Sequence, residues 1–251
     1  MENGFGINED KEKKERKQQQ KTIVKEKEKS QSSKEKNIIY HCFQGKLQIS
    51  TDYQNRKQPL KSDQELQSSS SSSSQTSNIT HTNKHFLILS LDIPPAPLFT
   101  EDSGINEENR SIIPQVPLPL LLAKYDGSTK QIGHLGEAIS YRITQFPKYL
   151  ILHFNRFIRN QFFVEKNPTI INFPVKGLDL SEYGLSNDRV VYDLVANIAH
   201  EGSQEEGKFT VHVLNKAQEK WYAIQDLNVE EIIAQKVVVS TAYLQIYERK
   251  I

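Results

Sequence analysis

The chain has 251 residues, a formal net charge of +1 at pH 7 and a single cysteine. One cysteine excludes a disulfide within the chain and a cysteine-rich zinc site. The small net charge gives no global electrostatic reason for binding nucleic acid or a membrane surface. The sequence also contains no apolar run long enough to span a bilayer, and its N-terminus lacks the pattern of a signal peptide.

The first part of the chain predicts a charged disordered segment followed by a strand. Residues 1–37 are rich in Lys, Glu, Gln and Ser and have no apolar stripe, which favours a solvated segment; a nuclear-localisation signal is the alternative for its Lys/Arg cluster. Residues 38–53 are the first strand region, because Tyr40 to Ile49 alternate around aromatic and aliphatic positions. Within it, Cys42 fits a small apolar filler better than a reactive thiol.

A second low-complexity segment, residues 54–83, is centred on a serine tract and predicts a mobile linker. Foldable sequence occupies residues 84–251. It begins with a continuous apolar strand from His85 to Ile93, which prolines terminate, and Tyr149 to Phe157 is the strongest strand. Further extended segments are predicted at 112–118, 162–164, 169–173, 192–199, 209–214, 221–224 and 241–248.

Strands therefore predominate, and the region Val229 to Ala234 is the clearest short helix. These elements predict an α+β fold that is mostly antiparallel. Trp221 is expected to be a core or half-buried anchor. Arg156, which lies between aromatic residues, is expected to be a stacked or ion-paired structural residue. Three histidines lie on or next to strands, but their spacing to carboxylates predicts no metal site, and no cofactor is expected. They are His153, His200 and His212.

One motif carries a family resemblance. Gly207-Lys208-Phe209, with the flanking segments Tyr192 to Gly202 and Lys220 to Asp226, resembles the histidine box of the ubiquitin-specific proteases. The resemblance implies a histidine general base at the position of Lys208 and its orienting carboxylate at the position of Gln225. Histidine has an ordinary pKa of about 6.5 and lysine about 10.4, and a neutral amide does not stabilise an imidazolium. No box for a cysteine nucleophile occurs, so we expect a non-enzyme that lacks the catalytic Cys, His and Asp.

A narrower resemblance points to the inactive spliceosomal branch of this family. It rests on Cys42 to Gly45, Ile112 to Leu118 and Asn160 to Ile170. The resemblance implies the palm and finger half of a papain-like ubiquitin-specific protease fold, that is, its C-terminal half only. It also implies a nuclear scaffold in pre-mRNA splicing whose partners are tri-snRNP proteins, with ubiquitin binding weak or lost.

Two other functions remain open at the level of sequence. The chain is alternatively a fragment of an active deubiquitinase, or a ubiquitin-binding module without a role in splicing. For the scaffold, the segment around Asn160 predicts a hairpin with a polar tip, and such loops are common binding elements. The candidate partner contacts are Asn160, Glu165, Lys166 and Asn167.

Overall fold

The computed structural model describes residues 37–53, 79–95, 114–159, 164–186 and 188–250. Residues 37–42 belong to a separate unit from the one that begins at Phe43. The predicted disordered segment, most of the serine-rich linker and the candidate contact Asn160 lie outside the described residues.

The described residues form sixteen strands, three short α-helices and two single-turn 3-10 helices. The α-helices are α1 (Ile38–Phe43), α2 (Leu118–Leu122) and α3 (Ala234–Val238). The strands up to the middle of the chain are β1 (Gly45–Asp52), β2 (Ile79–Phe86), β3 (Ile88–Asp92), β4 (Gln115–Pro117), β5 (Gln131–Ile132), β6 (Ala138–Gln145), β7 (Tyr149–Asn155) and β8 (Phe157–Arg159). The remaining strands are β9 (Val164–Lys166), β10 (Ile170–Asn172), β11 (Leu178–Asp179), β12 (Val191–Gly202), β13 (Gly207–Asn215), β14 (Lys220–Gln225), β15 (Asn228–Ile232) and β16 (Ala242–Arg249).

The larger sheet has the strand order β15-β14-β13-β12-β16-β7-β3, with β11 also paired to β12. All of its neighbouring pairs are antiparallel except β3 and β7. The prediction of a mostly antiparallel α+β fold is therefore confirmed. Period-two alternation places successive side chains on opposite faces, and β7 shows this directly because Leu150, Leu152 and Phe154 are buried while the residues between them are half-buried.

One face of this sheet forms the core together with α2 and the loops that cross it. Leu89 and Leu91 of β3, Tyr192 and Leu194 of β12, and Tyr247 of β16 are all fully buried there. Trp221 joins the same cluster, as the sequence predicts. A shared apolar face of this kind supplies the main favourable free energy of folding.

A second sheet of four strands has the order β2-β1-β6-β5, and its strands correct three predictions. The linker was expected to extend to Asn83, but β2 begins at Ile79 and pairs with β1 along its whole length. The apolar run from His85 to Ile93 is not one strand, because Leu87 separates β2 in the smaller sheet from β3 in the larger one. The strand predicted from Tyr40 begins only at Gly45, since Ile38–Phe43 is helical.

The helix predicted at Val229 to Ala234 is also wrong. Residues Asn228–Ile232 form β15, which pairs antiparallel with β14, and the helix begins at Ala234. Val229 and Ile232 are β-branched, so they suit an extended backbone when a neighbouring strand offers hydrogen-bond partners.

Candidate functional site

The two positions singled out by the motif lie on neighbouring strands. Lys208 is exposed near the start of β13 and stands opposite Glu201 in the ladder with β12. Gln225 is half-buried at the end of β14 and pairs with Asn228 across the β14–β15 turn. Val211 pairs with Ile224, so Lys208 and Gln225 lie at the same end of these two strands. This end of the two strands thus carries a primary amine and a neutral amide.

A buried imidazole lies beside this strand end. His200 of β12 is only 4% exposed and stands opposite Phe209, with their ring centres 4.7 Å apart. Phe157 and Tyr243 complete the group of rings around it. Burial, with the charge of Lys166 as a second cause, lowers the pKa of His200. Its Nδ1 finds no hydrogen-bond partner in the part of the chain that the structure describes.

Gly207 allows the ring of His200 to occupy this place. A Cβ atom at position 207 would lie 2.1 Å from Nε2 and 2.6 Å from Cε1 of His200. Real Cβ atoms do not approach other atoms so closely, so the glycine of the motif is required here by close packing. The sequence pattern signals this glycine, but it does not reveal that its neighbour is His200.

The hairpin formed by β8 and β9 is tied to the hairpin formed by β12 and β13. Lys166 Nζ donates hydrogen bonds to the backbone oxygen atoms of His200, over 2.6 Å, and Gly202, over 3.2 Å. Desolvation and the nearby charge of Arg156 lower the pKa of Lys166. Lys166 therefore has a structural role at the site where a partner contact was expected.

Asn167 is a second correction to the predicted partner contacts. This residue is buried, its Nδ2 donates to the oxygen of Pro94 over 2.7 Å, and its Oδ1 accepts from the amide of Thr169 over 3.0 Å. A side chain whose amide is used in this way holds the loop after β9 and is not available to another protein. Of the candidates within the described residues, only Glu165 is exposed.

Arg156 also holds the loop after β9 in place. It is fully buried, and its guanidinium donates to the backbone oxygen atoms of Ala242, Asn167 and Thr169. Burial lowers the pKa of Arg156 to about 10. Arg156 was expected to form an ion pair or to stack on an aromatic ring, and it donates hydrogen bonds to backbone carbonyl oxygens instead. Its Nη2 has no hydrogen-bond partner among the described residues.

An open cavity of about 540 Å³ adjoins the tied hairpins and is bordered by Lys166, His200, Glu201, Lys236 and Thr241. Within the described ranges, no group of three or more His, Cys, Asp or Glu residues is arranged to hold a metal ion. Among the same residues, none of the helices is long and apolar enough to cross a membrane. The only cysteine, Cys42, carries a free thiol in α1.

Comparison with known proteins places this arrangement in a family. Residues 7–247 match the profile of ubiquitin carboxyl-terminal hydrolase. Ubiquitin carboxyl-terminal hydrolase 39 of Homo sapiens is 40% identical over 229 residues, which are 86% of this chain and 38% of that protein. The probable mRNA-splicing protein ubp10 of Schizosaccharomyces pombe is 33% identical over 86% of this chain and 43% of its own length. The chain thus spans less than half the length of these relatives.

Solved structures show the same fold. The SAGA DUB module containing Ubp8, Sgf11, Sgf73 and Sus1 matches with a TM-score of 0.63 and 21% identity, over 86% of this chain and 42% of the matched chain. An essential yeast splicing factor matches with a TM-score of 0.55 and 24% identity, over 85% of this chain and 43% of that one. On the strength of the profile match along most of its length, the chain belongs to the ubiquitin carboxyl-terminal hydrolase family.

Proposed function

We propose that this protein is a non-catalytic scaffold of pre-mRNA splicing that supports assembly or stability of the tri-snRNP in the nucleus. The observation that carries the proposal is the pair Lys208 and Gln225 at one end of β13 and β14, where the family resemblance implies a histidine and a carboxylate. The splicing assignment is supported by the relative from fission yeast whose name describes a probable mRNA-splicing protein.

The chemistry at this strand end argues against thiol-dependent hydrolysis. A cysteine protease requires a thiolate, a base that withdraws its proton and a group that orients the base. Neither the amine of Lys208 nor the amide of Gln225 supplies an imidazole–carboxylate pair. His200, which stands opposite Phe209 on the neighbouring strand, is enclosed by Phe157, Phe209 and Tyr243.

A scaffold acts through its surface, and the β8–β9 hairpin is the proposed contact. Glu165 is exposed on β9, while Lys166 and Arg156 fix the strand and the loop after it from the inside. An exposed charge on a strand held in this way binds a partner without a large ordering cost. The proposed partners are proteins of the tri-snRNP.

Two experiments test the proposal. Incubation with a thiol-reactive ubiquitin probe is expected to label neither the natural chain nor the Lys208→His/Gln225→Asp variant. The variant restores a base and its orienting carboxylate but supplies no cysteine nucleophile, and these three groups act only as a unit. Labelling of Cys42 that disappears in Cys42→Ala would instead support a deubiquitinase fragment.

The second experiment measures association in nuclear extract. The chain is expected to co-purify with tri-snRNP proteins, and Glu165→Lys is expected to reduce the recovery, whereas Glu230→Lys on the exposed edge strand β15 serves as a matched control. Binding to ubiquitin without recovery of tri-snRNP proteins would favour a ubiquitin-binding module. Unchanged recovery with the folded Glu165→Lys variant would remove this hairpin from the interface.

A further inference from the structure

The open cavity beside the tied hairpins is lined by polar side chains that the proposed function does not use. Its volume of about 540 Å³ is within the range of pockets that hold small organic groups. Such pockets fix their ligands through a few polar groups that converge on one place. The polar side chains that matter here are Lys166, Glu201, Thr210, His212, Lys236 and Ser240.

A buried chain of hydrogen bonds determines which nitrogen of His212 carries the proton. Ser240 Oγ donates to the backbone oxygen of Val237 over 2.7 Å, so the same oxygen accepts the 2.7 Å bond from Asn197 Nδ2. Gln245 Nε2 donates to Asn197 Oδ1 over 3.2 Å, which agrees with this orientation of the amide. Asn197 Nδ2 also lies 3.2 Å from Nδ1 of His212. Since an amide nitrogen only donates, Nδ1 accepts, and the neutral ring carries its proton on Nε2.

His212 therefore offers an N–H group at the cavity. The residue is 8% exposed and is part of the cavity lining. Burial lowers the pKa of His212, so its ring is neutral at pH 7. Its Nδ1 is occupied by Asn197, and its Nε2 has no hydrogen-bond partner among the described residues. A donor in so buried a position is stabilised when a bound group supplies an acceptor.

Two lysines add further donors and positive charge. An ammonium group has three N–H donors, and Lys166 uses two of them on the backbone oxygen atoms of His200 and Gly202. Lys236 is exposed on α3, and its side chain forms no ion pair with another residue that the structure describes. Two lysines and the one glutamate, Glu201, leave a net charge of +2 − 1 = +1 on the cavity lining.

We propose that this cavity binds a carboxylate group, supplied either by a free organic acid or by an Asp or Glu side chain of another polypeptide. An ionised carboxylate only accepts hydrogen bonds, so it matches the donors of His212, Lys166 and Lys236. Bonds between an ammonium group and a carboxylate are among the stronger hydrogen bonds in proteins. The single negative charge also balances the lining, whereas a phosphate monoester carries about −1.5 to −2 at pH 7.

The test is a titration of the 15N-labelled 251-residue chain, followed by nuclear magnetic resonance at pH 7 and low salt. The probes are acetate and the blocked peptide N-acetyl-Gly-Glu-Gly-amide, and N-acetyl-Gly-Gln-Gly-amide is the neutral control. We expect the glutamate peptide to shift the amide signals of Thr210, Lys236 and Ser240 in a saturable manner, and the glutamine peptide to leave them unchanged. Tighter binding of the glutamate peptide than of acetate identifies a polypeptide side chain as the source, and equal binding identifies a free organic acid.

Matched variants locate the contact. Lys236→Gln is expected to weaken binding of the glutamate peptide on the order of fivefold, as for one exposed ion pair. Lys84→Gln is the control, because it makes the same change at an exposed lysine on β2 of the other sheet. His212→Leu removes the N–H donor and is expected to weaken binding, whereas His212→Gln keeps a donor and an acceptor and is expected to retain most of it.

Three results would overturn the inference. The first is equal shifts with the glutamate and glutamine peptides. The second is unchanged affinity in Lys236→Gln, which is decisive even where the His212 variants fail to fold. The third is tighter binding of inorganic phosphate than of the glutamate peptide, which would make the cavity a phosphate site. The titration contains no spliceosomal protein, so its outcome is independent of the proposed function.

Discussion

Lys166 Nζ donates a hydrogen bond to the backbone oxygen of His200 over 2.6 Å and thereby joins two hairpins that are distant in sequence. A second bond to the oxygen of Gly202 extends the contact along the β12–β13 hairpin. Lys166 is the last residue of β9, so the strand that carries the proposed partner contact Glu165 is fixed at this point. The position of Glu165 therefore depends on the hydrogen bonds that its neighbour Lys166 makes.

Lys166→Met is expected to loosen both hairpins while keeping the apolar part of the side chain. Hydrogen bonds from a charged donor contribute about 1.5–3 kcal/mol when buried, and these bonds are only partly buried, so we expect a loss of about 1 kcal/mol in the free energy of unfolding. Urea denaturation measures this loss, and faster amide exchange in β9 and near Gly202 locates it. Lys208→Met is the matched control, because Lys208 is exposed on β13. An equal effect of both variants would contradict the role given to Lys166.

Arg156→Lys is expected to be more harmful than its conservative chemistry suggests. The planar guanidinium of Arg156 reaches the oxygens of Ala242, Asn167 and Thr169 at once, and a lysine ammonium does not reproduce that geometry. Losing carbonyl contacts of a buried cation is expected to cost about 3 kcal/mol of unfolding free energy. The exposed Arg159→Lys provides the comparison in the same denaturation assay. A loss below that of Arg159→Lys would show that the three carbonyl bonds do not hold the loop.

The strands of the larger sheet were predictable because their alternation reflects burial on one face. β12, β13 and β14 each contain the predicted extended segment, and β7 and β16 cover most of theirs. β15 was not predictable as a strand, because the short segment from Val229 to Ile232 has no alternation and becomes extended only by pairing with β14. β2 was not predicted either. Its residues are mostly polar, and its pairing with β1 joins segments that are far apart in sequence.

The candidate site was predictable only where a motif marks it. The frame around Lys208 and Gln225 locates two residues that the fold places at one strand end. The roles of Lys166 and Asn167 were not visible, because a polar residue in a turn looks the same whether its side chain faces solvent or a backbone oxygen. Only the tertiary contacts with His200 and Pro94 distinguish the two cases.

Stability is expected to fall as the pH is lowered through about 6.5. Burial lowers the pKa of His153, His200 and His212 in the folded chain. The unfolded chain, in which histidine titrates near 6.5, then binds more protons than the folded chain, so protonation favours unfolding. Urea midpoints at about pH 7.5 and about pH 5.5 measure the effect, and it should shrink in His200→Gln but not in the variant of the exposed residue, His134→Gln. Equal midpoints at the two pH values would contradict it.

Gly207→Ala is expected to destabilise the β12–β13 hairpin through a clash with one named ring. The new Cβ would lie 2.1 Å from His200 Nε2 and 3.0 Å from the backbone oxygen of Glu201. Overpacking of this kind costs about 1–3 kcal/mol. If the ring is the cause, the same substitution in a His200→Ala background should cost less, and the double-mutant cycle should show a coupling of about 0.5 kcal/mol or more. A Phe157→Ala background serves as the control, because it removes another ring of the group and leaves His200 in place. Additive effects of Gly207→Ala and His200→Ala in chemical denaturation would mean that the glycine is required by the backbone near Glu201 and not by His200.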